Sequence, residues 1–63
     1  MPVVIVQMLA GRTVEQKRKI VDGITKVMQD AAGVQPDGTT VIIQDYERDN
    51  WSKGGKLMSE QPK

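Results

Sequence analysis

The segment Val3–Leu9 is apolar at every position except Gln7. A strand that is apolar on both alternating faces is typical of one that is covered on both sides. A chain of 63 residues can cover one side with its own helix, so another subunit must cover the second side. The segment therefore predicts a strand in a protein that associates with further copies of itself.

The size of the chain supports the same prediction. A chain of 7.0 kDa hides only about 60% of its surface on folding. The free energy gained by burying apolar surface is then roughly equal to the free-energy cost of the conformational entropy lost on folding. The sequence has no cysteine and hence no disulfide to add stability. Self-association is the remaining source of stability, and we expect a homo-oligomer built from one domain, residues 1–63.

One amphipathic helix is predicted over about Val14 to Ala32. Thr13 can accept from a backbone N–H three residues on while Gln16 reaches back to the N–H of Thr13, which is a capping box. Gly33 is placed to end the helix. The apolar residues that recur at helical spacing are Ile20, Val21, Ile24, Val27, Met28 and Ala31. The polar run Lys17, Arg18 and Lys19 is assigned to the solvent-exposed face of the helix.

A second strand is predicted over Thr39–Tyr46, where apolar and polar residues alternate after the turn at Gln35–Gly38. Strand, helix and strand in one sheet imply a parallel pair with a right-handed crossover. The tail contains a tight-turn sequence, Lys53–Lys56, which predicts a small hairpin, and a frayed end is expected at 61–63. The fold class is therefore α+β: a β-α-β unit with a C-terminal hairpin, completed by oligomerisation.

The charge pattern argues against nucleic acid and membrane partners. Nine Lys and Arg residues face eight Asp and Glu residues, a net charge of +1 that is spread along the chain, and Tyr46 and Trp51 are the only aromatic residues. A nucleic-acid site needs a concentrated basic face and usually stacking aromatics. No apolar run approaches the ~20 residues of a membrane span, and no basic segment opens a signal peptide. We expect a soluble, cytoplasmic protein.

The chain has no histidine and no cysteine, which excludes the usual zinc sites built from these ligands and the Cys/His and Ser/His catalytic pairs. We expect neither a metal nor another cofactor. An α-amino group, with a reference pKa of about 7.7–8.0, is the remaining base near neutrality. If Met1 is removed, Pro2 presents a secondary amine at the start of a buried strand, where desolvation would lower its pKa. Proline is also tolerated simply as the first residue of a strand.

The order of motifs along the chain supports the catalytic interpretation of Pro2. These motifs are Pro2 with the apolar strand after it, Gly11-Arg12, the helix start Thr13–Lys17, the strand Val41–Ile43, Trp51 and Gly54-Gly55. Together they resemble the 4-oxalocrotonate tautomerase family of short chains that begin with proline once Met1 is lost. The resemblance covers nearly the whole chain. It implies a β-α-β unit that dimerises into a four-stranded sheet with two helices, and three dimers that form a hexamer.

The resemblance also implies an activity and the residues that perform it. Pro2 matches the general base, Arg12 matches the arginine that binds a substrate carboxylate and polarises the carbonyl, and Trp51 stands where an aromatic residue shapes an apolar pocket. The implied reaction is enol-keto tautomerisation of a small carboxylate-bearing substrate, 2-hydroxymuconate-like or enolpyruvate-like. Thr40 stands where well-known members have a second arginine, so it can donate a hydrogen bond to the substrate but supplies no charge. Either a tail cation, Arg48 or Lys53, compensates, or the substrate has one acidic group.

Two other functions stay open at this point. Relatives with the same amine hydrate, dehalogenate or decarboxylate unsaturated acids, but those reactions generally need an additional acid group. A self-assembling domain with a vestigial pocket is the third hypothesis. Two features motivate it. Thr40 lacks the charge of the second arginine, and a retained Met1 would acylate the Pro2 nitrogen and leave the protein inactive. Tyr46 is interpreted as half-buried packing rather than as a general acid, and no spacing selects among Gln44, Asp45 and Glu47 as residues lining a site between subunits.

Overall fold

Two parallel strands joined by one long helix form the main part of the molecule. The computed structural model describes residues 1–61. Strand β1, Val3–Leu9, pairs in parallel with strand β2, Thr40–Tyr46, and helix α1, Val14–Ala32, connects them. The predicted β-α-β unit is confirmed. Strand β2 begins one residue later than predicted because the N–H of Thr39 donates to the carbonyl of Pro36, at 3.3 Å, and closes a short 3₁₀ turn.

Both ends of α1 have the predicted chemistry. The N–H of Gln16 donates to Thr13 Oγ1 at 3.1 Å, and the N–H of Thr13 donates to Gln16 Oε1 at 2.9 Å. At the other end, Gly33 adopts a left-handed conformation, φ 69°, that glycine adopts without a steric penalty. Local side-chain chemistry therefore sets the bounds of α1. Among the described residues, no helix combines the length and the apolar character that crossing a membrane requires.

The capping box gives a stability prediction. Thr13→Ala removes the acceptor for the N–H of Gln16, so we expect the free energy of unfolding to fall by about 1 kcal/mol. Urea denaturation at one fixed protein concentration measures the change. Thr13→Ser keeps a hydroxyl at the cap and serves as the matched control. An unchanged unfolding midpoint for Thr13→Ala would mean that the cap does not limit the stability of α1.

The predicted C-terminal hairpin is also confirmed. Strands β3, Ser52–Lys53, and β4, Lys56–Leu57, pair in antiparallel fashion. Gly54 and Gly55 connect them with φ values of 63° and 81°, the positive values that a two-residue type I′ turn requires. A 3₁₀ turn, Met58–Glu60, follows, and the N–H of Gln61 donates to the carbonyl of Met58 at 3.2 Å. Gln61 is therefore tied to the turn, whereas the rest of the expected frayed end, residues 62 and 63, lies outside the described residues.

Helix α1 covers one face of the β1–β2 sheet. Val4 of β1 lines a groove together with Ile20 and Ile24 of α1. Lys17 forms an ion pair with Asp45 of β2 and is only partly exposed. The assignment of Lys17 to the solvent-exposed face was wrong, because the carboxylate that it meets comes from a strand 28 residues further along the chain.

The opposite face of the sheet, called the open face here, is uncovered. It carries Val3, Ile5 and Ile42, which are 56%, 55% and 41% exposed. No side chain in residues 1–61 is fully buried. The chain exposes 4883 Å², against about 4,000 Å² for a compact monomer of this mass, and its radius of gyration is 14.7 Å, against about 11 Å. Both values exceed those of a compact monomer, so the chain alone does not form a closed globule.

Candidate active site

Pro2 lies directly before β1, at the edge of the sheet where both parallel strands begin. Its carbonyl oxygen accepts a hydrogen bond from the N–H of Thr40 at 3.1 Å, which attaches the start of the chain to β2. Pro2 is half-buried, whereas Met1 is 95% exposed. The backbone at Pro2 is therefore anchored to β2.

Thr40 lies beside Pro2. It is the first residue of β2 and stands opposite Val3 in the register, so the two side chains share the open face. Thr40 is exposed. The structure thus brings two of the predicted site residues, Pro2 and Thr40, to one edge of the sheet.

Arg12 lies at the opposite edge. Strand β1 separates it from Pro2, and seven strand residues at ~3.3 Å each place the two residues roughly 20 Å apart. Gly11, at φ 126°, turns the chain after β1, and Arg12 Nη1 donates to the carbonyl of Leu9 at 3.2 Å. Within one subunit, the predicted base and the predicted carboxylate-binding residue do not meet.

Trp51 lies at the Arg12 edge. Its ring packs edge to face on the ring of Tyr46, with centroids 6.0 Å apart and planes at 75°. Leu9, whose carbonyl binds Arg12, is paired with Tyr46 in the sheet. Trp51 lines a pocket of about 300 Å³, here called the indole pocket, whose other residues are Gln7, Tyr46, Asn50 and Ser52. Arg12 and Trp51 therefore form a second half-site, remote from Pro2 and Thr40.

A hydrogen-bonded group on the open face was missed by the sequence analysis. Gln7 Nε2 donates to Gln44 Oε1 at 3.0 Å and to the Tyr46 hydroxyl at 3.2 Å, and that hydroxyl donates to Gln44 Oε1 at 2.9 Å. We call Gln7, Gln44 and Tyr46 the polar triad. The signal in the sequence was a single glutamine in an apolar strand, but its partners depend on the parallel register, which joins residues almost forty positions apart.

The structure places both tail cations, Arg48 and Lys53, in the C-terminal segment that follows β2. Arg48 Nη2 donates to the carbonyl of Met58 at 3.1 Å, so the guanidinium holds the hairpin to the turn after β2. Lys53 is exposed in β3. Neither lines the indole pocket, whose five lining residues are all uncharged.

The described part of the chain also contains no group of three or more aspartate, glutamate, histidine or cysteine side chains placed to hold a metal ion. The chemical groups at hand are thus a half-buried proline that follows Met1, a guanidinium, neutral amides and hydroxyls, and an indole. Such a set can move a proton and stabilise an anion.

Comparison with known proteins gives a consistent result. Residues 2–61 match the family model described as "Tautomerase enzyme". The chain is 37% identical over 60 residues to 2-hydroxymuconate tautomerase of Bacillus subtilis, covering 95% of this chain and 97% of that one. The crystal structure of YwhB, a homologue of 4-oxalocrotonate tautomerase, superposes with a TM-score of 0.91 at 34% identity, covering 97% and 100% of the chains. The structure of a heterohexameric 4-oxalocrotonate tautomerase from Chloroflexus aurantiacus superposes with a TM-score of 0.91 at 29% identity, and the match covers 98% of this chain and 100% of that chain.

Proposed function

Because the chain belongs to the tautomerase family, we propose that it interconverts the enol and keto forms of a small carboxylate-bearing substrate, with the Pro2 nitrogen as general base. Its curated relatives are tautomerases, so it is an isomerase; the substrate and the base are the proposal. The observation that carries it is the position of Pro2, half-buried and held to β2 through Thr40. In a chain without histidine or cysteine, this nitrogen is the group best suited to proton transfer near neutral pH.

The reaction needs one proton to be taken up and one to be returned. The neutral Pro2 nitrogen accepts the proton of the enol hydroxyl, and the electrons of that O–H bond form the carbonyl. The electrons of the carbon-carbon double bond then accept the proton back at carbon. No electrons enter or leave the substrate, so the step needs no oxidant or reductant.

Arg12 supplies the positive charge that the reaction requires. Its guanidinium can meet a carboxylate through two parallel hydrogen bonds. It can also face the negative charge that develops on the substrate oxygen in the transition state. Trp51 provides an apolar wall, and Thr40 provides a neutral hydrogen-bond donor beside Pro2.

The two half-sites come together only if different copies of the chain contribute them. Pro2 and Arg12 lie at opposite ends of β1, and the open face between these ends is apolar and uncovered. The related Chloroflexus aurantiacus protein is a heterohexamer. We therefore propose a homo-oligomer, a hexamer of three dimers, in which Pro2 of one subunit faces Arg12 and Trp51 of another.

A hydratase, dehalogenase or decarboxylase function has less support. Such reactions need an acid group to activate water, and no carboxylate lines the indole pocket. A non-catalytic self-assembling domain is the other alternative. It predicts no turnover by any form of the protein, including one freed of Met1.

Mixing two inactive variants tests the shared site. We expect equal amounts of Pro2→Ala and Arg12→Ala subunits, unfolded and refolded together, to recover about one quarter of the wild-type rate with phenylenolpyruvate. The reason is that about one site in four pairs an intact Pro2 from one chain with an intact Arg12 from another. Intact mass must first verify that both chains have lost Met1.

A second mixture provides the control. Wild type refolded with an equal amount of the Pro2→Ala/Arg12→Ala double variant gives about one quarter of the rate if two chains share each site. If one chain supplied both residues, the first mixture would stay inactive and the second would keep about half of the rate. That pair of results would contradict the shared site.

A further inference from the structure

The hydroxyl oxygen of Thr39 is buried and has no hydrogen-bond partner within residues 1–61. Most buried polar atoms in proteins are paired, and one that is not costs free energy and calls for an explanation. The backbone that carries this hydroxyl is held in place, because the N–H of Thr39 donates to the carbonyl of Pro36 at 3.3 Å. The hydroxyl is therefore fixed at a position where a neighbouring group can use it.

The sheet register places Pro2 beside Thr39. Val3 stands opposite Thr40, so the residues before them, Pro2 and Thr39, stand opposite each other at the strand spacing of about 4.8 Å. Successive residues of an extended chain point to opposite faces of a sheet, and Thr39 is extended, with φ −106° and ψ 124°. Pro2 and Thr39 therefore share the face turned toward α1, as Val3 and Thr40 share the open face.

The chemistry of the Pro2 nitrogen explains why the hydroxyl is unpaired while Met1 is attached. A proline nitrogen within a chain has no hydrogen to donate, and as an amide it has no basic lone pair to accept one. Loss of Met1 converts it into an amine with one N–H when neutral and two when protonated. The oxygen of a threonine hydroxyl has two lone pairs and can accept such an N–H.

Resting on the proposed function, we propose that Thr39 is a positioning residue whose hydroxyl oxygen accepts the non-reacting N–H of Pro2 once Met1 is lost. The neutral amine has one N–H and one lone pair, so a bond that holds the N–H also fixes the direction of the lone pair that takes the substrate proton. In the protonated amine the same bond remains, and the second N–H holds the proton that returns to carbon. Thr39 thus orients the base without contacting the substrate.

The same bond changes the protonation equilibrium of Pro2. A hydrogen bond from a charged N–H is stronger than one from a neutral N–H, so the hydroxyl stabilises the protonated amine more than the neutral one. The Thr39 hydroxyl therefore raises the pKa of Pro2, and its removal should lower that pKa. If the hydroxyl instead donated its proton to the lone pair of the amine, it would stabilise the neutral form and its removal would have the opposite effect.

Other charges around Pro2 are the same with and without the Thr39 hydroxyl. Strand β1 has no charged residue. The charged residues on the other elements around Pro2 are Asp37 of the 3₁₀ turn, Asp30 near the end of α1, Asp45 at the far end of β2 and, in the proposed assembly, Arg12 of another copy. A change of Pro2 protonation in a Thr39 variant therefore reports on the hydroxyl.

The test replaces Thr39 by valine, which has nearly the same shape, in protein verified to lack Met1. The rise of kcat/KM for phenylenolpyruvate with pH marks the loss of the Pro2 proton, and in Thr39→Val we expect its midpoint to fall by about one pH unit. We expect kcat, measured at a pH above both midpoints, to fall about fivefold, the effect of one hydrogen bond. KM should be unchanged, because Thr39 does not contact the substrate.

Two variants serve as controls. Thr39→Ser keeps the hydroxyl and should keep the wild-type midpoint. Thr25→Val makes the same chemical change on α1, where the Thr25 hydroxyl donates to the carbonyl of Val21 at 2.7 Å. It should also keep the wild-type midpoint, because this hydroxyl is already paired within the helix.

Unfolding of the chain that retains Met1 separates this role from a structural one. In that form the Thr39 hydroxyl is unpaired, so its replacement by an apolar group removes an unsatisfied polar atom. We expect the urea midpoint of Thr39→Val, at one fixed protein concentration, to equal or exceed that of wild type. A lower midpoint would mean that the hydroxyl stabilises the fold, and would overturn the inference.

The kinetic outcomes distinguish this inference from the proposed function. A pH midpoint in Thr39→Val that equals or exceeds that of wild type overturns the role of Thr39 as an acceptor, while Pro2 would still titrate and the tautomerase proposal would stand. If wild type converts no enol acid faster than Pro2→Ala does, the proposed function fails, and the inference about Thr39 fails with it.

Discussion

Replacing Pro2 by alanine in protein that has lost Met1 is expected to lower kcat for the ketonisation of phenylenolpyruvate by about 100-fold or more, within the range that a positioned general base supplies. Alanine still presents an amine, but it lacks the ring that holds the Pro2 nitrogen in one orientation relative to β1. Stopped-flow absorbance of the enol measures the rate. Because the Pro2 carbonyl bonds the Thr40 backbone, the alanine chain keeps this anchor, and folding should be preserved.

The Met1-bearing form of the wild-type chain is the matched control for this prediction. It has the same side chains, but the Pro2 nitrogen is part of an amide and has no basic lone pair. We expect it to show only the background rate. A Pro2→Ala protein with the full wild-type rate, or an active Met1-bearing protein, would show that another group is the base.

Replacing Arg12 by alanine is expected to lower kcat/KM for enol acids by about 100-fold, through both a higher KM and a lower kcat. In the proposed mechanism the guanidinium binds the substrate carboxylate in the ground state and the oxyanion charge in the transition state, and removal of one such donor commonly costs about this much. The structural cost should be small, since Arg12 is exposed and donates to the carbonyl of Leu9, the last residue of β1. Steady-state kinetics with two enol acids measures the effect.

Two further variants sharpen the Arg12 prediction. Arg12→Lys keeps a positive charge but not the planar fork that meets a carboxylate with two hydrogen bonds, so its kcat/KM should lie between wild type and Arg12→Ala. Arg18→Ala removes an exposed arginine that pairs with Glu15 and should leave the kinetics unchanged. Wild-type kinetics in Arg12→Ala would assign Arg12 to the solvated surface.

The local elements could be predicted from the sequence because their causes are local. Each end of α1 is set by residues that adjoin it, namely the capping pair Thr13 and Gln16 at the start and Gly33 at the end. The hairpin turn is set by the two glycines that form it, Gly54 and Gly55. The apolar character of Val3–Leu9 also correctly predicted a strand, and the cover of its second face by another copy of the chain stays a prediction. These features depend on propensity and spacing, which a sequence displays directly.

The site could be predicted only as a set of residues and not as an arrangement. Pro2 and Arg12 were named together, yet β1 keeps them apart within one chain. The proximity that we propose for them needs a second copy, which no single sequence displays. The polar triad was missed for a related reason: Gln7 meets Tyr46 through a register between strands that the whole of α1 separates. Long-range pairing and assembly are set by tertiary packing, which local pattern does not encode.

The most direct measurement of the central claim is the titration of the Pro2 nitrogen itself, by NMR of protein labelled with nitrogen-15 at proline and verified to lack Met1. We expect this resonance to move through a single protonation step centred near neutral pH, with the same midpoint in the pH dependence of kcat/KM. A Pro2 nitrogen that does not respond between mildly acidic and mildly alkaline solution would show that Pro2 is not the general base.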